Sequence, residues 1–306
     1  MKMFTLVINP IHRKRILLFS MAFQWQTFST RALTAIVFVA VMALGLFWSR
    51  WSFFILFSVI HFGCWVEYQR LVAHFNKDYS LITLFHKNGV MVAGWCLLLY
   101  FTNSELQLFG IRLNEAGWWG GIILLLLIPL MIFIESKNFL LKNIGYSFFG
   151  LLYISLPLGL MVDMRNRWIE EDYQLSMTIP LLIIFTLWVN DTMAYLVGSL
   201  IGKTPLSTIS PKKTWEGTLG GIILAIITMC LVAHFTKRLS IVHTAIIAGI
   251  ASIAGTYGDL FESKLKRMAG VKDSGHLMPG HGGFLDRFDS LLFAVTPSWL
   301  YAVIFM

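Results

Sequence analysis

Residues 217–236 read GTLGGIILAIITMCLVAHFT, a run without a single charge, bounded by Glu216 before it and by Lys237 and Arg238 after it. At a rise of about 1.5 Å per residue, a helix of this length crosses the ~30 Å hydrocarbon core of a bilayer. Eight other stretches are uncharged in the same way: 32–49, 51–66, 88–104, 116–134, 143–162, 173–190, 239–258 and 290–306. The next longest, 16–30, carries Gln24, Gln26, Thr27, Ser29 and Thr30, which suits an interfacial segment better than a crossing. A chain that is 57% hydrophobic and only 13% charged lies far from soluble composition. The pattern predicts an all-α, polytopic membrane protein with about nine transmembrane helices.

Lys and Arg concentrate on the cytoplasmic side of membrane proteins. With the N-terminus placed inside, 18 of the 24 Lys and Arg residues fall on inner segments. The outer segments keep Arg50, Arg112, Arg165, Arg167, Lys237 and Arg238. This predicts a cytoplasmic N-terminus, an external C-terminus and a multi-pass protein of the cell membrane, of the bacterial cytoplasmic type. The formal net charge of +8 is then accounted for by topology and calls for no nucleic acid. The basic HRKR run at 12–15 suits anionic lipid headgroups. Trp48, Trp51, Trp118 and Trp119 sit at span ends, where interfacial aromatics belong. Cys64, Cys96 and Cys230 lie inside apolar spans without CxxC spacing and read as small buried hydrophobes. The polar, basic start lacks a cleavage pattern after an apolar core, so no cleavable signal peptide is expected.

No internal repeat is visible, which argues against the repeat architecture of many transporters. Residues 1–180 read as plain spans, whereas 181–306 gather the chemistry. All seven acids beyond residue 190 (Asp191, Glu216, Asp259, Glu262, Asp273, Asp286, Asp289) lie in or beside polar motifs. The first region spreads Glu105, Glu115, Asp163 and Glu170–Asp172 over outer loops instead.

Three clusters stand out. In the first, Asn190 and Asp191 interrupt a long apolar helix ending near Ile201, a costly placement that points to pairing, a wet cavity or work. GSLIGKT has three residues between its glycines, not the four of a phosphate loop, and follows a helix rather than a strand. Ser210, Lys212 and Lys213 before the next helix start suit an anionic phosphate. In the second cluster, GDLFESKLKR at 258–267, helical spacing sets Asp259, Glu262 or Ser263, and Lys266 on one face. The third is KDSGHLMPGHGGFLDRFDS, 272–290, where glycines allow backbone amides to approach a ligand before Asp286, Arg287 and Asp289 enter the last helix. Facing carboxylates need a cation between them, and hard ions such as Mg²⁺ take carboxylate oxygens and bridge to phosphates. Asp259, Asp286 and Asp289, with Lys266, Arg267, Lys272 and Arg287 around them, have the composition of a Mg²⁺–polyphosphate site. His281 suits an acid/base or donor role, or equally the shaping of a turn.

The run SKLKRMAGVKDSGHLMPGHGGFLDRFD, 263–289, resembles the C-terminal motif of the phosphatidate cytidylyltransferases, also called CDP-diglyceride synthases. The motif positions are Ser263, Leu265, Lys266, Arg267, Lys272, Asp273, Pro279, His281, Gly282, Gly283, Asp286, Arg287, Phe288 and Asp289. Met278 stands where that family usually has Ile or Leu, an apolar exchange of similar volume. Residues 190–221 are similar to the family's other cytoplasmic motif, while the first 180 match only in being multi-spanning.

The resemblance implies that CTP and phosphatidate give CDP-diacylglycerol and pyrophosphate, with Mg²⁺, at the inner face of the bilayer. It implies metal ligands at Asp259, Asp286 and Asp289, and catalytic roles for Lys266, Arg267, Arg287 and His281. Substrate contacts would come from Asn190, Asp191, Ser210, Lys212, Lys213, Ser263, Lys272, Asp273, Gly282 and Gly283. A homodimer is left open. The rivals are a CTP-dependent transferase acting on another lipid phosphate and a transporter of an anionic substrate. A CDP-alcohol phosphotransferase needs an Asp-x-x-Asp-Gly helix that this sequence lacks.

Overall fold

The computed structural model describes residues 25–103, 106–135, 141–168, 172–275 and 282–306. His281, Pro279 and the HRKR run lie outside them, as does most of the expected interfacial stretch at 16–30. The helices are α1 (Trp25–Phe47), α2 (Arg50–Phe75), the single-turn α3 (Lys77–Ser80), α4 (Leu84–Tyr100), α5 (Leu113–Glu135), α6 (Leu141–Gly150) and α7 (Leu156–Arg167). Then follow α8 (Tyr173–Ile201), α9 (Trp215–Thr236), α10 (Ile241–Met268) and α11 (Leu285–Phe305). A two-residue hairpin, β1 (Gln107–Leu108) and β2 (Ile111–Arg112), is the one sheet among the described residues.

Among the described residues seven helical stretches are long and apolar enough to span a membrane: α2, α5, the joined α6–α7, α8, α9, α10 and α11. The chain is therefore a multi-pass membrane protein. The two other expected spans also coincide with helices, but the apolar part of α1 (Leu33–Phe47) and α4 are shorter. Helix α7 continues α6 through a π-helical turn, Leu151–Ser155, just ahead of Pro157. Proline has no N–H to give back to the preceding turn, and a wider turn absorbs the register change.

Helix starts follow their caps. Ser49 and Ser52 form a reciprocal capping box at α2, Asp172 accepts from Gln174 N and Leu175 N at α8, and Thr214 accepts from Gly217 N at α9. Helices α8 and α9 pack through small residues. A Cβ on Gly217 would lie 2.7 Å from the Ala194 carbonyl, and one on Gly221 would lie 2.8 Å from that of Asn190. Without a hydrophobic drive inside lipid, such close backbone approach holds a helix pair together. It also fixes the 202–214 connection above both helices. There Glu216 accepts from Lys203 N (3.1 Å), Thr204 N (3.2 Å) and Thr204 Oγ1 (2.8 Å), and Leu206 N donates to Lys213 O at 2.7 Å.

Candidate active site

Where α8, α10 and α11 meet below that connection, a cavity of about 610 Å³ opens. Its polar wall carries Asn190, Asp191, Ser210, Lys212, Lys213, Asp259, Asp286, Arg287 and Asp289. Nine of the residues singled out from sequence thus share one cavity, although they are drawn from three separated motifs. Thr214, Thr218 and Thr256 join them. The apolar lining is Phe38 and Met42 from α1 and Ile184, Leu187 and Trp188 from α8. A lining with both charged and apolar groups suits a ligand with a charged head and a hydrocarbon body.

The charges are arranged in layers. Asp289 is buried, 7% exposed, and accepts from Ser290 N at 2.6 Å. Its electrostatic neighbours are Asp259, Glu262 and Asp191. Lys213 Nζ makes an ion pair with Asp259 Oδ2 and also acts on Asp191. The Asn190 side-chain nitrogen lies 3.4 Å from Asp191 Oδ1, while its buried Oδ1 has no partner. Lys213 thus acts on two of these carboxylates, Asp259 and Asp191.

Asp286 is held differently. Its Oδ2 accepts from Ser274 N (2.9 Å), Ser274 Oγ (2.8 Å) and Gly283 N (2.8 Å), and its Oδ1 from Lys266 Nζ (2.7 Å). Lys266 Nζ also lies 2.6 Å from Glu262 Oε2. The sequence sets Lys266 among the groups meeting a phosphate. In the fold it is 14% exposed, does not line the cavity, and links two carboxylates one helix apart. Among the described residues no three His, Cys, Asp or Glu side chains are gathered ready to hold a metal ion. The expected trio of Asp259, Asp286 and Asp289 shares the cavity without closing on a common point.

Other expected residues stand back from the cavity. Arg267 is exposed, with its guanidinium 3.3 Å from the Val271 carbonyl, and Lys272 and Asp273 are exposed. Ser263 does not line the cavity. Gly282 and Gly283 serve the loop itself. Gly282 has φ of +81°, a region that side chains resist, and Gly283 has no room for one. What crowds Gly283 is Glu67, a residue of α2 that the sequence reading passed over. A lone acid inside an apolar helix was the available signal.

A family model described as the cytidylyltransferase family matches residues 29–305. A phosphatidate cytidylyltransferase of Haemophilus influenzae is 31% identical over 295 residues, covering 90% of this chain and 98% of its own. One of Bacillus subtilis is 32% identical over 273 residues, covering 88% and 94%. A chloroplastic phosphatidate cytidylyltransferase of Arabidopsis thaliana reaches 48% identity over 105 residues, 34% of this chain and 27% of its own.

Proposed function

This chain belongs to the cytidylyltransferase family, and from that premise we propose that it joins CTP to phosphatidate, giving CDP-diacylglycerol and pyrophosphate. The observation that carries the reading is the cavity itself, whose lining combines carboxylates, lysines and hydroxyls with the apolar Phe38, Met42, Ile184, Leu187 and Trp188. A phosphate oxygen of the lipid attacks the α-phosphorus of CTP, the bond to the β-phosphate oxygen breaks, and pyrophosphate leaves with the electron pair. Such transfers depend chiefly on positioning and charge neutralisation. Lys212, Lys213, Ser210 and Arg287 bind the phosphates and offset their charge, and the apolar wall orients the acyl region.

The donor chemistry fits Mg²⁺. Asp191, Asp259 and Asp289 supply hard oxygens, and the partnerless Asn190 Oδ1 adds a neutral one. The Lys213 ammonium on Asp259 stands where these carboxylates require positive charge. Asp259 and Asp289 would hold the ion, with Asp286 contributing through Oδ1, which accepts from Lys266 while Oδ2 is met by three donors. An ion held there would supply charge neutralisation for the CTP phosphates.

We read α1 and α4 as the remaining two crossings, which makes nine, with the N-terminus and the cavity on the cytoplasmic side of the cell membrane. The 18 of 24 Lys and Arg residues on the corresponding segments support this. The test is phosphatidate-dependent pyrophosphate release from CTP. Inside-out vesicles and detergent micelles are expected to be active, and sealed right-side-out vesicles silent until permeabilised. No release in micelles with phosphatidate or any other lipid phosphate rejects the transferase reading. Equal activity in both vesicle types rejects the orientation.

A further inference from the structure

Glu67 lies on α2 just beyond the charge-free run 51–66 and is only 5% exposed. Its Oε1 accepts from Phe284 N at 2.9 Å, and its Oε2 accepts from Leu285 N at 2.9 Å and from Ser274 Oγ at 2.7 Å. Two of these donors are backbone amides at the very start of α11, where a helix has N–H groups without internal partners and a positive dipole end. The third, the Ser274 hydroxyl, is shared with Asp286 Oδ2 at 2.8 Å. Glu67 and Asp286 therefore divide the donors of one loop between them, although Glu67 lies more than 200 residues earlier in the chain.

The surroundings are shaped to this contact. A Cβ on Gly275 or on Gly283 would collide with the Glu67 carboxylate. One helical turn earlier on α2, a Cβ on Gly63 would enter the ring of Phe284. Gly63 and Glu67, at i and i+4, thus form a socket for the residue that precedes α11: the gap takes its ring and the carboxylate takes its amide. The socket accepts donors only, so it needs a carboxylate. A glutamine would turn an NH₂ toward at least one N–H that now has an acceptor.

We infer that Glu67 is a positioning residue, the clamp that sets where α11 begins and so places Asp286, Arg287 and Asp289 in the cavity. The catalytic part of this inference rests on reading that cavity as the cytidylyl-transfer site. The placement part does not. Loss of registration near 1 Å at a reacting centre lowers turnover by up to ~10²-fold, so E67Q is expected to lower kcat by ~10-fold or more. KM for CTP should change less than kcat, because Ser210, Lys212 and Lys213 on the 202–214 connection bind the phosphates independently of α11.

The experiment compares wild type, E67Q and E115Q in detergent; E115Q alters an exposed ion pair with Arg112 and is the control. Hydrogen exchange of a peptide covering 283–290 is read beside kcat and KM. E67Q is expected to speed exchange there by ~10-fold or more while leaving residues 217–236 unchanged. Wild-type exchange at 283–290 in E67Q overturns the clamp, whatever the activity. Wild-type kcat with faster exchange overturns its catalytic role. If wild type itself releases no pyrophosphate, the transferase reading fails and the exchange result still decides the clamp. If E67Q does not elute as a single species, S274A, which deletes one donor, takes its place. It should show faster exchange at 283–290 and a kcat lowered several-fold, and unchanged values of both overturn the inference.

Discussion

In the N-terminal region, up to about residue 180, several buried polar groups meet as neutral pairs. Ser155 Oγ lies 3.0 Å from His61 Nε2 and accepts from Trp65 Nε1 at 2.8 Å, Ser147 Oγ lies 2.9 Å from His86 Nε2, and Tyr68 OH donates to the Tyr146 carbonyl at 2.8 Å. In the C-terminal region carboxylates are answered by lysines: the buried Glu262 and the part-buried Asp286 by Lys266, and the more exposed Asp259 by Lys213. Neutral pairs hold helices together at little desolvation cost. Buried charges are costly to leave without partners, and here they line or brace a cavity. The contrast separates scaffold from site, and Glu67 is where the scaffold reaches across to the site.

The strongest way to break the contrast is Lys266→Met. From sequence, the change keeps the stem, spares folding and deletes a charge aimed at phosphate. In the fold it strands Glu262, 0% exposed, and removes the donor to Oδ1 of Asp286, 11% exposed, so it should cost ~3–5 kcal/mol of stability as well as activity. Thermal unfolding in detergent measures this, and adding Glu262→Gln should recover part of the loss. A stable but inactive Lys266→Met would return Lys266 to the phosphate-binding set.

Next come Asp259→Asn and Asp286→Asn, each expected to lower CTP turnover by at least ~10²-fold while the protein still elutes as a single species. Near-normal turnover of either variant at saturating Mg²⁺ would remove that residue from the site. The smallest effect belongs to the scaffold. Ser155→Ala leaves Trp65 Nε1 and His61 Nε2 without their partner and should cost ~1–3 kcal/mol, with turnover per folded molecule unchanged. A large loss of turnover there would erase the distinction between the regions.

Much of this was legible in the sequence because the bilayer imposes simple rules. A charge-free run must be helical to satisfy its backbone, so span positions follow from where charges are absent. The end of α8 at Ile201, the helical state of GDLFESKLKR and the entry of Asp286, Arg287 and Asp289 into the last helix all follow from the pattern. Local spacing also pairs Glu262 with Lys266 at i, i+4.

The sequence by itself determined the helical membrane architecture, the family motif and the identity of the charged groups in the cavity. Only the tertiary structure decided how those groups are shared out. It gave Lys266 to two carboxylates rather than to the cavity, put Lys213 on Asp259, and used Gly275 and Gly283 to admit Glu67. The physical reason is range. Hydrophobic and helical periodicities are properties of neighbours along the chain. A partner for a buried charge is chosen in three dimensions, and for Phe284 and Leu285 it came from a helix more than 200 residues away.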